Sequence, residues 1–317
     1  MRAIGMYAFG GPDVLRVVDL PEPHAGPGQV RVRVHAAAVN PADTLLRSGG
    51  LAHAFAGVPG PYVPGMDIAG VIDEIGPDTE TGLSPGDPVM AMVLPIGPAA
   101  GGYAEYVVLP AGWVVHAPAG TDHAAASTLP MNGLTALLAL DRLDLAPGSV
   151  LAVIGAAGTL GGYLVQLARH AGLTVVADAA PGDEALVRRS GAAEVVPRGP
   201  GVAERLRALR PDGVDAVADP ALAGPGLLDA LRDGGVYAQF RGGDEPGGHE
   251  FSGDGRVRRV FVPDYAGRTD KLRQIGGLAE AGVLIPSVAA TLPAAEAADA
   301  HRRLESGGVR GRLVLTF

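Results

Sequence analysis

The chain has 317 residues, of which 47% are hydrophobic; 25 Lys plus Arg face 34 Asp plus Glu, for a net charge of −9, and there is no cysteine. Without cysteine, disulfide frameworks, thiolate zinc sites, iron–sulfur clusters and cysteine nucleophiles are excluded, and the acidic balance disfavours a nucleic-acid partner, which needs clustered positive charge. The apolar content argues against disorder, and the length suggests about two domains. Lys271 is the single lysine, set in a polar stretch that reads as surface. No apolar run reaches the ~18–20 residues of a bilayer span, and residues 1–6 lack a signal peptide's apolar core. A soluble, cytoplasmic protein is expected.

In chain order, residues 1–120 read as β-rich. Residues 1–6 form a short strand, residues 30–36 alternate with period two, and 68–75 and 89–94 are further strands. Gly and Pro break this region often, which suits a barrel-like all-β unit. The texture changes near 121, where Thr121-Asp122 can cap a helix and 134–143 reads as another. Residues 150–154 are a continuous apolar run, as expected for a parallel strand buried on both faces.

Strand and helix then alternate: helix 161–171, strand 173–177, helix 184–190 closed by Gly191, strand 195–196, helix 202–209, strand 214–218, helix 226–232 and strand 236–240. This alternation predicts an α/β fold with a doubly wound parallel sheet. Arg256 to Arg259 reads as a local surface strand, 294–305 as a helix and 311–315 as the closing strand.

The most informative motif is Ile154-Gly155-Ala156-Ala157-Gly158-Thr159-Leu160-Gly161, between a predicted strand and a predicted helix. In that setting small residues let backbone amides approach a pyrophosphate, and the helix N-terminus favours its charge. About 20 residues on, Asp178 ends the second strand, where a carboxylate can accept the ribose hydroxyls of NAD. It can equally be a turn residue before Pro181-Gly182.

Several segments together resemble the zinc-independent, quinone-oxidoreductase-like branch of the medium-chain dehydrogenase/reductase superfamily. They are Ala37-Ala38-Val39-Asn40-Pro41-Ala42-Asp43, Val63-Pro64-Gly65-Met66-Asp67-Ile68-Ala69-Gly70, Gly86-Asp87-Pro88-Val89 and Gly102-Tyr103-Ala104-Glu105-Tyr106. Leu129-Pro130-Met131-Asn132-Gly133-Leu134-Thr135-Ala136, the glycine loop and the terminal 308–315 complete the set. The resemblance implies a GroES-like β-barrel domain at 1–120, completed by 261–317, a Rossmann domain at 121–260, and an active site in the cleft between them. It also implies NADPH-dependent reduction of quinones or enones, and a homodimer joined at the sheet edge near 236–240.

Zinc-dependent relatives place a Cys where this chain has Asn40 and a His in the 65–67 stretch; neither is present, so no metal is expected. By resemblance Asn40 lies at the nicotinamide, and Asn40, Thr135, the loop Gly155 to Leu160, Asp178, Phe240, Arg241 and Arg312 form the cofactor set. Asp43 reads as the cap of a helix beginning near Thr44. Some related enoyl reductases carry a tyrosine proton donor where Leu51 stands, which leaves His53, Tyr62 or water. Family habit favours NADPH, whereas Asp178 and the lack of a basic residue directly after it lean toward NADH; Arg188 and Arg189 come later, in helix 184–190. The leading reading is a metal-free NAD(P)H-dependent quinone or enone reductase. The alternatives are a specialised enoyl or ketone reductase of a biosynthetic pathway and a cofactor-binding member without turnover.

Overall fold

The alternation of residues 30–36 is realised in the strand Gln29–Ala38, where Val30, Val32 and Val34 face inward and Arg33 faces solvent. The computed structural model describes residues 1–96, 101–251 and 255–317. These divide into two units: Met1–Met131 with Tyr265–Gly282 and Pro286–Phe317, and Asn132–Asp264 with Val283–Ile285.

In unit 1, Gln29–Ala38 is the hub of a seven-stranded sheet. The strand order is Val288–Pro293, Arg312–Thr316, Gln29–Ala38, Asp67–Ile75, Pro88–Met92 and Val114–His116, with Tyr106–Pro110 also paired to the hub. All pairings are antiparallel except that of the two C-terminal strands. Arg2–Gly5 and Arg16–Asp19 form a separate antiparallel pair. The main core of the unit is built on Val30, Val32, Ile68, Ile72, Val89 and Leu313. The helix His123–Ser127, capped by Asp122 through a 2.7 Å bond from the Ala125 amide, packs on the strands Gln29–Ala38 and Asp67–Ile75. Trp113, the only tryptophan, lies against the same core with its indole edge over Gly267, where a Cβ would stand 2.5 Å from Nε1.

Unit 2 holds a six-stranded parallel sheet. Its order is Glu194–Pro197, Thr174–Ala179, Val150–Val153, Val214–Ala218, Leu231–Gln239 and Val257–Arg259. In chain order this reads 3-2-1-4-5-6, with the switch point at the first strand. Leu151, Ala152 and Val153 are fully buried, which explains their unbroken apolar run. The helices Thr159–His170, Glu184–Ser190 and Val202–Leu209 alternate with the strands, and Gly191 ends its helix at φ +116°.

Three sequence expectations are corrected. Residues 226–232 are not an α-helix: Pro225–Ala230 is a single 3₁₀ segment, and Leu231 already pairs with Val214 in the sheet. The glycines Gly224, Gly226, Gly234 and Gly235 around this apolar stretch leave too little helix-forming sequence to hold it. The strand at 236–240 is not the sheet edge, because Tyr237, Ala238 and Gln239 pair with Val257, Arg258 and Arg259, the arginine-rich strand that takes the outer position. Asp43 caps a helix that starts earlier than Thr44: the helix is Pro41–Ser48 with Asn40 at its N-cap, and Asp43 accepts the Asn40 amide from within the first turn. Among the described residues no helix is long and apolar enough to cross a membrane.

Candidate active site

In unit 2 the strand Val150–Val153 feeds the glycine loop, which turns at Gly155 with φ +83°. Gly161 packs against that turn so closely that a Cβ there would lie 2.2 Å from the Gly155 carbonyl oxygen. The helix Thr159–His170 starts at Gly158 without a side-chain cap. Its first amides and positive dipole end therefore have no carboxylate or hydroxyl of their own, the arrangement that seats a phosphate. Asp178 is buried at the end of the second strand, and its Oδ1 accepts from the amides of Gly155 at 2.6 Å and Ala156 at 3.3 Å. The carboxylate thus braces the loop from beneath.

One strand further out, the Arg198 amide donates to the Ala179 carbonyl at 3.0 Å, which puts an exposed arginine beside the Asp178–Ala179 terminus. Arg188 is paired with Glu184 on its own helix. Thr135 is buried in the helix Pro130–Leu143. Phe240 and Arg241 follow the strand Leu231–Gln239, with Arg241 bonded to the Pro246 carbonyl at 2.9 Å.

In unit 1, Asn40 precedes the helix Pro41–Ser48 and is fully buried between two buried aspartates. Its amide N–H donates to Asp43 Oδ2 at 2.8 Å, and its Nδ2 donates to Asp67 Oδ2 at 2.8 Å and to the Ala38 carbonyl at 3.3 Å. Asp67 Oδ1 accepts from the Met131 amide at 2.6 Å, and Asp43 Oδ1 accepts from the Gly65 amide at 3.0 Å. That last contact requires glycine: Gly65 has φ +107°, and a Cβ would lie 2.7 Å from the Tyr103 nitrogen.

Burial dominates the electrostatics of this cluster. It lifts Asp43 to about 6 and Asp67 to about 7, against the pull of their N–H donors and of the Arg312 charge. Arg312 is itself buried in the strand Arg312–Thr316, with Nη1 3.4 Å from the Val39 carbonyl, so it is no surface ion-pair residue. Tyr103 OH bonds to Asp43 Oδ2 at 3.2 Å and meets His301 Nε2 at 3.3 Å. Tyr62 is taken up locally: its hydroxyl donates to the Val58 carbonyl at 3.1 Å and its ring stacks on Phe9. His53 is exposed on the 3₁₀ turn Ala52–Phe55. Asp67, Tyr103 and His301 join the site only through the fold, although a carboxylate opening the apolar run 67–72 is an anomaly visible in the sequence.

Residues 26–119 match the alcohol dehydrogenase GroES-like domain, and 190–315 match the zinc-binding dehydrogenase family. The chain is 30% identical to quinone oxidoreductase of Rattus norvegicus over 99% of its own length and 97% of the relative's. It is 33% identical to a pikromycin polyketide synthase component of Streptomyces venezuelae, over 94% of this chain and 8% of that much longer one. A mycobacterial protein solved in complex with NADPH superposes with a TM-score of 0.84 at 26% identity, covering all of both chains. The chain belongs to the medium-chain dehydrogenase/reductase superfamily, with quinone oxidoreductases among its full-length relatives.

The donor set does not fit a zinc ion. There is no cysteine, no group of three or more His, Asp or Glu that could hold a metal occurs among the described residues, and the Asp43 and Asp67 oxygens face N–H and O–H donors. The glycine loop does fit a dinucleotide, since the space where a Gly161 side chain would stand is taken by backbone and the helix start is uncapped.

Proposed function

We propose that the protein is a metal-free, NAD(P)H-dependent reductase of quinones or α,β-unsaturated carbonyls. The observation that carries this reading is the Asn40 site: a buried amide held by two aspartates, with no group of three or more metal-ligating side chains among the described residues, in a chain that also carries an uncapped helix start behind a glycine loop. Reduced nicotinamide supplies the hydride; the protein's share is orientation and exclusion of water. Without a Lewis acid, an acceptor that is already polarised suits the site better than an alcohol. The amides of Ala157, Thr159 and Leu160 would hold the pyrophosphate, and Asn40 would orient the carboxamide or the acceptor carbonyl. The proton that completes the reduction is assigned to water, since the Tyr62 hydroxyl already donates to Val58.

The cofactor reading favours NADPH. Asp178 spends Oδ1 on the loop amides, and the exposed Arg198 beside the same strand end can meet a 2′-phosphate. A second reading, an enoyl reductase of a biosynthetic pathway, is favoured by the similarity to the polyketide synthase component. Titration with NADPH and NADH, followed by loss of reduced-nicotinamide absorbance with a panel of quinones, enones and enoyl thioesters, tests these readings. Turnover of quinones or simple enones supports the first, and turnover confined to enoyl thioesters supports the second. Tight binding with no turnover of any acceptor overturns both.

A further inference from the structure

We propose that Tyr103 and His301 are positioning residues for Asn40, acting through Asp43 so that the C-terminal helix Ala297–Glu305 holds the Asn40 turn in place. This rests on the reading above that Asn40 serves the reaction.

The relay is continuous and buried. His301 Nε2 meets Tyr103 OH at 3.3 Å, Tyr103 OH meets Asp43 Oδ2 at 3.2 Å, and the same Oδ2 accepts from the Asn40 amide at 2.8 Å. His301, Tyr103, Asp43 and Asn40 are all fully buried, and the Tyr103 and His301 rings meet edge to face at 6.0 Å. Tyr103 has one hydroxyl proton for two neighbours. The carboxylate is the stronger acceptor, so the proton points to Asp43. His301 must then donate from Nε2 to the phenol oxygen, which leaves Nδ1 as an unprotonated acceptor. His301 Nδ1 indeed has no hydrogen-bond partner among the described residues. Burial, and then the neighbouring Arg47 charge, keep this imidazole neutral.

A buried nitrogen left unpaired is a cost that a leucine or phenylalanine would not incur. Among the described residues the imidazole's hydrogen bond is the one to Tyr103, so what it adds over an apolar side chain is the orientation of that hydroxyl. The other end of the link is equally specific. Asp43 Oδ1 takes the Gly65 amide, so the carboxylate can turn toward Asn40 in one way only when Tyr103 holds its second oxygen. Asp67 fixes the Asn40 side chain from the opposite side, and the relay fixes its main chain.

The test compares Tyr103→Phe, His301→Leu and His301→Gln with Arg303→Ala, an exposed control on the same helix. We expect Tyr103→Phe and His301→Leu to lower kcat at least fivefold while KM for the dinucleotide moves less than twofold. His301→Gln, whose amide can donate in place of Nε2, should restore kcat to within twofold of wild type. Equal losses for Leu and Gln, or wild-type kcat in Tyr103→Phe, overturn the inference.

Two readouts on the cofactor-free protein stand apart from turnover. Hydrogen exchange at the Asn40 and Gly65 amides should quicken at least tenfold in Tyr103→Phe, with the strand Asp67–Ile75 unchanged. Imidazole ¹⁵N resonances of the wild-type protein should report the Nε2–H tautomer of His301, a measurement that needs no variant to fold. Unchanged exchange, or the Nδ1–H tautomer, overturns the relay. If wild-type protein reduces no acceptor, the functional reading falls, while the relay is still decided by these two measurements.

Discussion

Arg198 and Asp178 stand at the ends of neighbouring strands and carry opposite charges, so they bear on cofactor choice in opposite directions. Arg198→Ala should weaken NADPH binding about tenfold, the scale of one charge-assisted contact, and leave NADH binding unchanged. Parallel calorimetric titrations check this. Equal loss for both cofactors would place Arg198 outside the phosphate site. The buried aspartates give a second prediction at this scale. A carboxyl whose folded value is raised binds protons more readily folded than unfolded, so its contribution is complete below the unfolded value and is lost as pH rises through the folded one. For Asp43 and Asp67 that loss runs up to about 6 and about 7. His301 runs the other way: lowered to about 3, it costs stability as pH falls below the ordinary histidine range. Relative to wild type, Asp67→Asn should gain at least about 1 kcal/mol between pH 5 and 8, as one pKa unit is worth about that much. Urea unfolding by circular dichroism at several pH values reads the difference. Residue identities were open to inspection here and their directions were not. Asp178 was recognisable as an acidic residue at the second strand's end, but nothing in the sequence says that its oxygen turns inward to the loop amides. Tyr103 and His301 lie 198 positions apart, and only folding brings them together.

The strand–turn–helix around Gly155 was legible at the scale of elements because glycine spacing, an apolar run and a helix start coincide there. Gly161 is its most constrained member. Gly161→Ala would push a methyl to 2.2 Å from a backbone oxygen, so helix and turn must separate. We expect a cost of about 2 kcal/mol, the usual scale of overpacking, and loss of dinucleotide binding. Gly162→Ala is the matched control: its Cβ would meet only the Ala156 carbonyl at 3.7 Å. Comparison of the two by denaturant unfolding and NADPH titration checks the point. The elements misread were those where local pattern and pairing disagree. Residues 226–232 have helix-like spacing, yet Leu231 is claimed by its neighbour strand. The strand Val257–Arg259 is three residues of mostly charged sequence whose place at the sheet edge is fixed by Tyr237 to Gln239.

At the scale of the whole molecule, each unit has a large hydrophobic core of its own, one around Val30 and Ile68 and the other around Val176 and Val217. The glycine loop belongs to the second. A ligand that binds only folded protein stabilises it by about 2.7 kcal/mol at a hundredfold excess over Kd. Scanning calorimetry should therefore show NADPH raising the transition of the unit around Val217 more than the other. Equal shifts in both would mean that the units melt together. Trp113 makes those transitions assignable without any label. It is the sole indole and is packed in the unit that lacks the glycine loop. Its emission during heating is therefore a private thermometer for the Asn40 side of the molecule, and whatever heat is absorbed while that emission stays constant belongs to the nucleotide side.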